Sequence, residues 1–576
     1  MLPLTRIQAV QGTGLYSPLS GVIVRVQGVV TGKTGHGFFI QEPAPLDAGP
    51  LDAASQVGSI SATLAQNNQT ASSAIFIFSI ERPAFGAHLE IIGKVIDFAR
   101  AENERPTTQI ELHEFSVIAE RGPDVDPIWL NANTLPEQPE ALAKALNNLE
   151  GMRVGIRSGA MFSAPSNPFG DYVVLPSDIA NSIPLSDLGS AILDPANPDR
   201  WLPGFRISRV EVAPIVNVGD ILLEDVVGPL NYRANSYQIL ARGPLRVKQI
   251  ARQLSNNAQS PGPEFTSVLT LNAFNLDQQF ERPERVDDPR RDIDHDVADL
   301  RFDKLGAVIV NQAGSPAIVA LQEIQDNDGA ELSATTDASY TYALLVQACK
   351  KLGGPLYQWV DIAPKNASDG GQPGGNIRNA FLYDPQRVSL VAETLRLIGT
   401  DSLAFEDSRK ALMAQFRVRS SGQILAVLNV HLASKRHQNS LFAPNLPGFD
   451  PKEAQRIAQA LEIREVLTQL EAQGLDYYVT GDFNDFDFSE TLKTLCAQAS
   501  VNLVQTLPRA QRYDYNHRGK LHTLMHAIVA KRQAVAGRYK FEILHGNELT
   551  GVQPGTMGTR ATDHAYVISH LRVGAS

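Results

Sequence analysis

Five apolar runs in the last 313 residues or so share one oddity. Each ends, or begins, in polar side chains that a buried strand would not choose for stability. The runs lie in "TLNAFN", "VALQEIQDND", "NVHLASK", "TGDFND" and "TDHAYVISHL". They supply Asn272 and Asn275, Glu323, His431 and Lys435, Asp482, Asn484 and Asp485, and Asp563 with His564. Helical stretches such as "KEAQRIAQALEIREVLTQLEAQ" separate them, which is the texture of an α/β domain with buried sheets. A strand turns alternate side chains to one face, so Thr480, Asp482 and Asn484 are predicted to look the same way.

Each polar group alone has an ordinary explanation. Gly, Asp and Asn end strands and cap helices. A lone His431 reads as a satisfied core histidine, Glu323 as a solvated strand end, and Asp563 with His564 as a turn. Together they form an inventory: carboxylates for a hard cation, two histidines able to donate to a phosphoryl oxygen, and amides to hold a substrate. That set suits metal-assisted phosphodiester hydrolysis. In that reading Asp482 accepts a proton from an attacking water, and Asn484 orients the nucleophile or a phosphate oxygen.

The chain has 576 residues, too many for a single core, so several domains are expected. Residues 1–125 read as all-β, with Val22, Val24 and Val26 alternating in "GVIVRVQGVVTG" and short strands between Gly, Pro and Asn turns. A small barrel or sandwich is expected there. Residues 126–250 read as a second small β-rich domain. It carries one helix, marked by Leu142, Leu146 and Leu149 and stopped at Gly151. Residues 251–263 read as a linker, and 264–576 as the α/β domain. Hydrophobic residues make up 43% and charged residues 20%, ordinary for a globular protein. No apolar run approaches the roughly 20 residues of a membrane span, and the N-terminus shows no signal-peptide pattern. Cys349 and Cys496 read as small apolar residues rather than a metal or disulfide framework. A net charge of −11 counts against charge-driven, non-specific nucleic-acid binding. The charge-rich stretch 287–296 reads as a solvated face, and 531–540 as a surface connection.

The blocks "LNAFN", "VALQEIQDNDG", "NVHLASK", "GDFNDF" and "TDH", in that order, make residues 264–576 resemble the endonuclease/exonuclease/phosphatase superfamily, of deoxyribonuclease-I-like fold. The resemblance implies a four-layer α/β sandwich with its site where strand ends meet. It implies Glu323 as main metal ligand, with Asn272 and Asp563 near the metal. Asp482 and Asn484 would handle water, and His431 and His564 would stabilise the phosphorane or donate protons. "DGGQPGGNIRNAFLYDPQRV" and "FEDSRKALMAQF" resemble loops of large bacterial extracellular nucleases of this superfamily, in which OB-type barrels precede the catalytic domain. That match implies that Asn376, Arg378, Arg409 and Asn272 approach substrate. The alternatives are a flexible loop for the first stretch, and a salt bridge of Arg409 with Glu406 or Asp407. Mg²⁺ is the implied cofactor, with Mn²⁺ or Ca²⁺ as alternatives. DNA is the implied substrate, with RNA as the alternative. The chain is expected to be a monomer and, by resemblance, extracellular or periplasmic.

One departure stands out. Where the superfamily has Leu-Asp-His before a C-terminal strand, this chain reads "LHTLMHAIVA", with Met525 in the aspartate's place. A thioether neither orients nor charges a histidine, so His564 is expected to lack its carboxylate and the enzyme to be slow. Two alternatives remain open: a phosphatase or phosphodiesterase for a lipid or small phosphoester, and a degenerate fold kept as a nucleic-acid-binding or interaction module.

Overall fold

The computed structural model describes residues 2–43, 71–101, 104–198, 200–208, 214–251, 257–260, 262–497, 499–553 and 560–573. Of the linker expected over 251–263, residues 252–256 and 261 lie outside that set. The chain forms two compact units. The first comprises 1–250 with 438–449 and 551–556; the second comprises 251–437, 450–550 and 557–576.

The first unit is mostly strands. Ile23–Lys33 pairs with Gly37–Gln41 and with His88–Phe98. Gly37–Gln41 pairs with Ala74–Phe78, which runs parallel to Thr107–Ala119. Thr107–Ala119 then pairs with His88–Phe98, so the strand order closes on itself. Alternation drives this: Val24, Val26 and Val30 point inward with Ile40, Ile77 and Ile91.

The following residues do not make a second barrel. Nine strands form one open path, from Val247–Lys248 at one edge to Ile128–Trp129 at the other. Regular turn spacing marks short strands in either architecture, so it does not encode closure. The expected helix is present at Pro139–Asn148, with Leu142 and Leu146 buried. The two sheets also share one unit rather than separating near residue 125. The Gln41 side chain accepts from the Arg153 amide at 2.7 Å, and Ser72 Oγ donates to the Glu150 carbonyl at 2.7 Å. A Cβ on Gly32 would lie 2.4 Å from Pro229 Cγ, so only glycine admits this contact.

The segment 438–449 contributes to the same unit. Phe442 sits edge-on to Tyr237 at 5.1 Å and to Trp201 at 6.4 Å, within the core of the nine-stranded sheet.

The second unit has four layers. One sheet runs in the order Gln358–Asp361, Arg378–Tyr383, Ile318–Ile324, Thr266–Leu276, Tyr566–Leu571, Tyr539–Leu544. The other runs Val388–Leu390, Ala411–Val418, Ile424–His431, Asp476–Asp482, Met525–Ala530, Ser500–Asn502, with Arg396–Ile398 paired to Ala411–Val418. Val268, Ala320, Val427 and Tyr478 fill the core between the sheets. Leu269, Leu271, Val319 and Leu321 point the other way, onto the helices Arg301–Ala307 and Ser339–Lys351. Val479 and Leu428 face the helices Glu453–Ala472 and Glu490–Cys496. Odd and even positions thus serve two different cores.

The charge-rich stretch 287–296 is only partly a solvated face. Asp296 is buried and forms an ion pair with buried Arg301, whose guanidinium also donates to the carbonyls of Ala273 and Phe274.

Phe442→Ala removes the ring that packs on Tyr237. It is expected to destabilise the first unit by about 3–5 kcal/mol, the usual cost of emptying a buried aromatic site. Urea unfolding monitored by proteolysis of unit-specific fragments checks this. Unchanged stability would mean the segment adheres without packing.

Candidate active site

Buried polar rungs join the two sheets of the second unit and lead upward to the site. Thr270 and Thr480 share a hydroxyl–hydroxyl hydrogen bond. Gln322 Nε2 donates to Asn429 Oδ1 at 2.6 Å, and Asn429 Nδ2 donates to the carbonyls of Leu321 and Ala380 at 2.8 and 3.0 Å. Two residues further along the Thr266–Leu276 strand comes Asn272. Its Nδ2 donates to Glu323 Oε1 at 3.0 Å and to Asp482 Oδ2 at 3.2 Å. Its Oδ1 accepts from the Phe274 amide at 2.9 Å. That last bond fixes the amide's orientation, so Asn272 presents its NH₂ to the carboxylates and holds its oxygen away from them.

Alternation alone would send Glu323 to the helix side, with Val319 and Leu321. The register shifts between Leu321 and Ile324, and Glu323 itself has φ +55°. This bulge, with a left-handed residue that is not glycine, returns the carboxylate to the face between the sheets.

His431 and Asp482 are brought together differently. Their strands are parallel, and the two residues are register partners. The residue before Asp482 is Gly481, with φ +139°, where an added Cβ would fall 1.9 Å from the Val430 carbonyl. Only glycine allows that approach. His431 Nε2 then lies 3.7 Å from Glu323 and 3.9 Å from Asp482 Oδ2. Glu323, His431 and Asp482 offer ligand atoms that all lie within 4.8 Å of one another.

Asn484 does not continue the strand. Its φ is +50°, its amide donates to Asp482 Oδ1 at 2.8 Å, and its Nδ2 donates to the Leu432 carbonyl at 3.1 Å. That carbonyl also accepts from Arg409 Nη2 at 2.9 Å. Arg409 is 5% exposed and makes no ion pair, with Glu406, Asp407 or any other described residue; its Nε has no partner. Asn376 and Arg378 are occupied elsewhere. Asn376 Nδ2 donates to Asp326 at 2.9 Å and to the Thr335 carbonyl at 2.8 Å; Arg378 pairs with Asp361 at 3.4 Å and donates to the Thr336 carbonyl. No hydrogen bond or ion pair joins either to the carboxylates among the described residues.

His564 corrects the sequence expectation. It does have a carboxylate: its Nδ1 donates to Asp514 Oδ1 at 3.1 Å. Asp514 is fully buried, and its Oδ2 accepts from the amides of Leu524 and Met525 at 2.8 and 3.0 Å. The other ring nitrogen of His564 lies 3.8 Å from Asp482 Oδ2, and the Tyr515 ring packs 4.8 Å from its own. Asp514 and Tyr515, in "YDYNH", were missed because the stretch matches none of the blocks that mark the site. The pairing of an Asp at 514 with a vacancy at 525 was the only signal available.

The electrostatics follow from burial and neighbours. Burial raises the Glu323 carboxyl, and the charges of Asp563 and Asp482 add to the rise. Burial likewise raises Asp482, against the opposing pull of His564. Burial, with the nearby charges of Arg409 and His564, drives His431 well below its ordinary value, so it is neutral. Burial acts to lower His564 too, but the hydrogen bond to Asp514 and the charges of Asp563 and Asp482 prevail and lift it to about 10. The site therefore pairs a neutral imidazole with an imidazolium.

Two carboxylates and an imidazole at this spacing, the carboxyls raised chiefly by burial, fit a divalent cation. Asp563 adds negative charge beside Glu323.

Residues 269–565 match the Endonuclease/Exonuclease/phosphatase family, and residues 133–250 match a domain of unknown function (DUF8508). The chain belongs to the Endonuclease/Exonuclease/phosphatase family. Members of that family are hydrolases acting on phosphoester bonds. No curated protein matches the chain. Among solved structures it is similar to the human Nocturnin catalytic domain with bound sulfate anion. The identity is 15%, covering 53% of this chain and 94% of that one, with a TM-score of 0.35. It is also similar to an endonuclease/exonuclease/phosphatase from Bacteroides vulgatus, at 14% identity, 54% and 99% coverage and a TM-score of 0.34. Truncated Caenorhabditis elegans TDP2 gives 14%, 53% and 97%, with a TM-score of 0.34.

The raised carboxyls carry a sign. In the folded state Glu323 and Asp482 hold protons that the unfolded chain has already released, so metal-free stability falls as pH rises through their raised range. A divalent cation takes the protons' place, so its stabilising effect grows with pH. Thermal melts with and without Mg²⁺, from mildly acidic to mildly alkaline pH, should show a widening gap that Glu323→Gln flattens. A constant gap would place the cation elsewhere.

Proposed function

We propose that this chain is a divalent-cation-dependent nuclease that hydrolyses phosphodiester bonds of DNA. One observation carries the reading: Glu323, His431 and Asp482 converge within 4.8 Å of one another, near the buried Arg409 guanidinium, which forms no ion pair among the described residues and whose Nε has no hydrogen-bond partner. Glu323 and Asp482 would hold the cation with His431 or Asp563, and Mg²⁺ is the proposed ion, Mn²⁺ the mixed-donor alternative. The cation would supply charge neutralisation at the phosphoryl oxygens.

The chain's own groups do the rest. Arg409 offers its Nε–H to a phosphate oxygen, since a fully desolvated guanidinium gains most from an anion. Asp482 takes the proton of the attacking water, and Asn484 fixes that carboxylate through its amide. The His564 imidazolium donates to a phosphoryl oxygen as charge builds there, and where Asp563 rather than His431 holds the cation, neutral His431 would donate on the opposite side. The closed strand order of residues 23–119 supports an OB-like reading of that barrel, which would bind the oligonucleotide. An extracellular or periplasmic location and a monomeric state are proposed with this reading, on the family likeness alone.

Plasmid DNA, RNA and a phosphomonoester, each incubated with Mg²⁺ and with EDTA, test it. DNA cleavage that EDTA abolishes is expected. Release of phosphate from the monoester with intact DNA would turn the reading to a phosphatase, and no turnover in any arm would sink it. Asp482→Asn should lose several orders of magnitude in kcat with KM largely kept. Asn484→Ala keeps the backbone amide that caps Asp482 and removes only the side-chain bond to the Leu432 carbonyl, so it should lose far less than Asp482→Asn. Wild-type kcat in Asp482→Asn would remove it from the chemistry.

A further inference from the structure

We infer that the orienting carboxylate of His564 has moved to position 514, and that positions 514 and 525 are alternative hosts for one carboxylate but cannot both carry it. This rests on the hydrolytic reading above.

The geometry is specific. Asp514 reaches His564 Nδ1 with one oxygen and caps the amides of Leu524 and Met525 with the other. Its own carbonyl accepts from the Ala565 amide at 2.7 Å, so the residue after the histidine is tied to the same aspartate. Every acceptor atom of Asp514 is committed to holding His564 beside the strand that starts at Met525. Met525 is the register partner of Asp482 and faces the core between the sheets, together with Ala565. A carboxylate at 525 would therefore stand on the residue whose amide Asp514 already caps, on the strand beside Asp482. With Asp514 in place it would meet two existing carboxylates, Asp514 and Asp482, in a buried setting. A thioether there fills the volume without charge. The pocket has room for one orienting carboxylate, and Met525 is the consequence of placing it at 514.

Asp514 touches no reacting atom in this arrangement and acts through His564, so it is a positioning residue. Four proteins test the inference: wild type, Asp514→Asn, Met525→Asp and the double variant. Asp514→Asn should lower kcat by about 10–100-fold with KM little changed, the usual size of an orienting contact. It should add nothing further in a His564→Ala background, because the two act as one unit. Met525→Asp alone should lower both kcat and Tm. The double variant should regain Tm relative to Met525→Asp and recover part of the lost kcat. Three results would overturn the inference: wild-type kcat in Asp514→Asn, an equal loss with and without His564, or a faster Met525→Asp. Should Asp514→Asn not fold, the wild-type protein decides by itself. The His564 Nδ1 proton must appear as a far-downfield, exchange-protected NMR resonance, and its absence overturns the pairing. Should the wild type hydrolyse nothing, the proposed function falls. The Tm coupling between 514 and 525 then still reports on the shared pocket: additive changes there would overturn the inference.

Discussion

The side-chain amide of Asn272 is the interaction on which the rest of the site depends. It belongs to one sheet, yet it donates to Glu323 in its own sheet and Asp482 in the facing one. Without a shared donor, two desolvated carboxylates would repel and splay. Beneath it, the Thr270–Thr480 and Gln322–Asn429 rungs set the height of one sheet against the other. An apolar core between sheets slides at little cost, because dispersion is not directional. A buried hydrogen-bonded pair does not, since each unmet group costs about 1–3 kcal/mol. The rungs therefore convert a soft hydrophobic contact into a defined register, and the register brings the strand ends to one level.

Local backbone strain is concentrated where that register ends. Glu323 and Asn484 both hold left-handed conformations, and Gly481 permits a close approach of two parallel strands. None of these stabilises a strand. Each redirects one functional group: the bulge turns Glu323 inward, Gly481 lets Asp482 lie beside His431, and the turn at Asn484 aims an amide back at Asp482. The order provided by the rungs below tolerates this disorder of geometry above, because the strained residues come after the paired ones.

Much of this was legible in the chain. Polar residues at strand ends announced the site, and alternation put Thr480 and Asp482 on one face, though Asn484 leaves the strand and does not share it. Glu323 was legible by type but not by direction, because a bulge has no reliable sequence mark. Asp514 was invisible for a different reason. It reaches His564 across 50 residues, from a stretch that matches none of the blocks that mark the site, and only the folded sheet brings the two together. The second barrel was misread because strand length and turn spacing do not tell an open sheet from a closed one. The assignment of Phe442 to the first unit was likewise hidden, since an aromatic inside a loop carries no label of the core it fills.

Charge balance connects these parts. The chain carries a net −11, so its long-range field opposes an approaching phosphate backbone. Recognition has to be short-range, within roughly a Debye length of the site. There the described residues supply the Arg409 and Arg560 guanidinium groups and the His564 imidazolium, against Glu323, Asp482, Asp514 and Asp563. Asp514 is spent on His564, which keeps that imidazole charged through neutral pH. Glu323, Asp482 and Asp563 remain against the two guanidinium groups, and burial, with the charge of neighbouring carboxylates, raises Glu323 and Asp482. The site is thus left with acidic groups that an added cation would balance. A phosphoester group, the class of bond on which the family acts, therefore meets positive charge only once it arrives at contact distance.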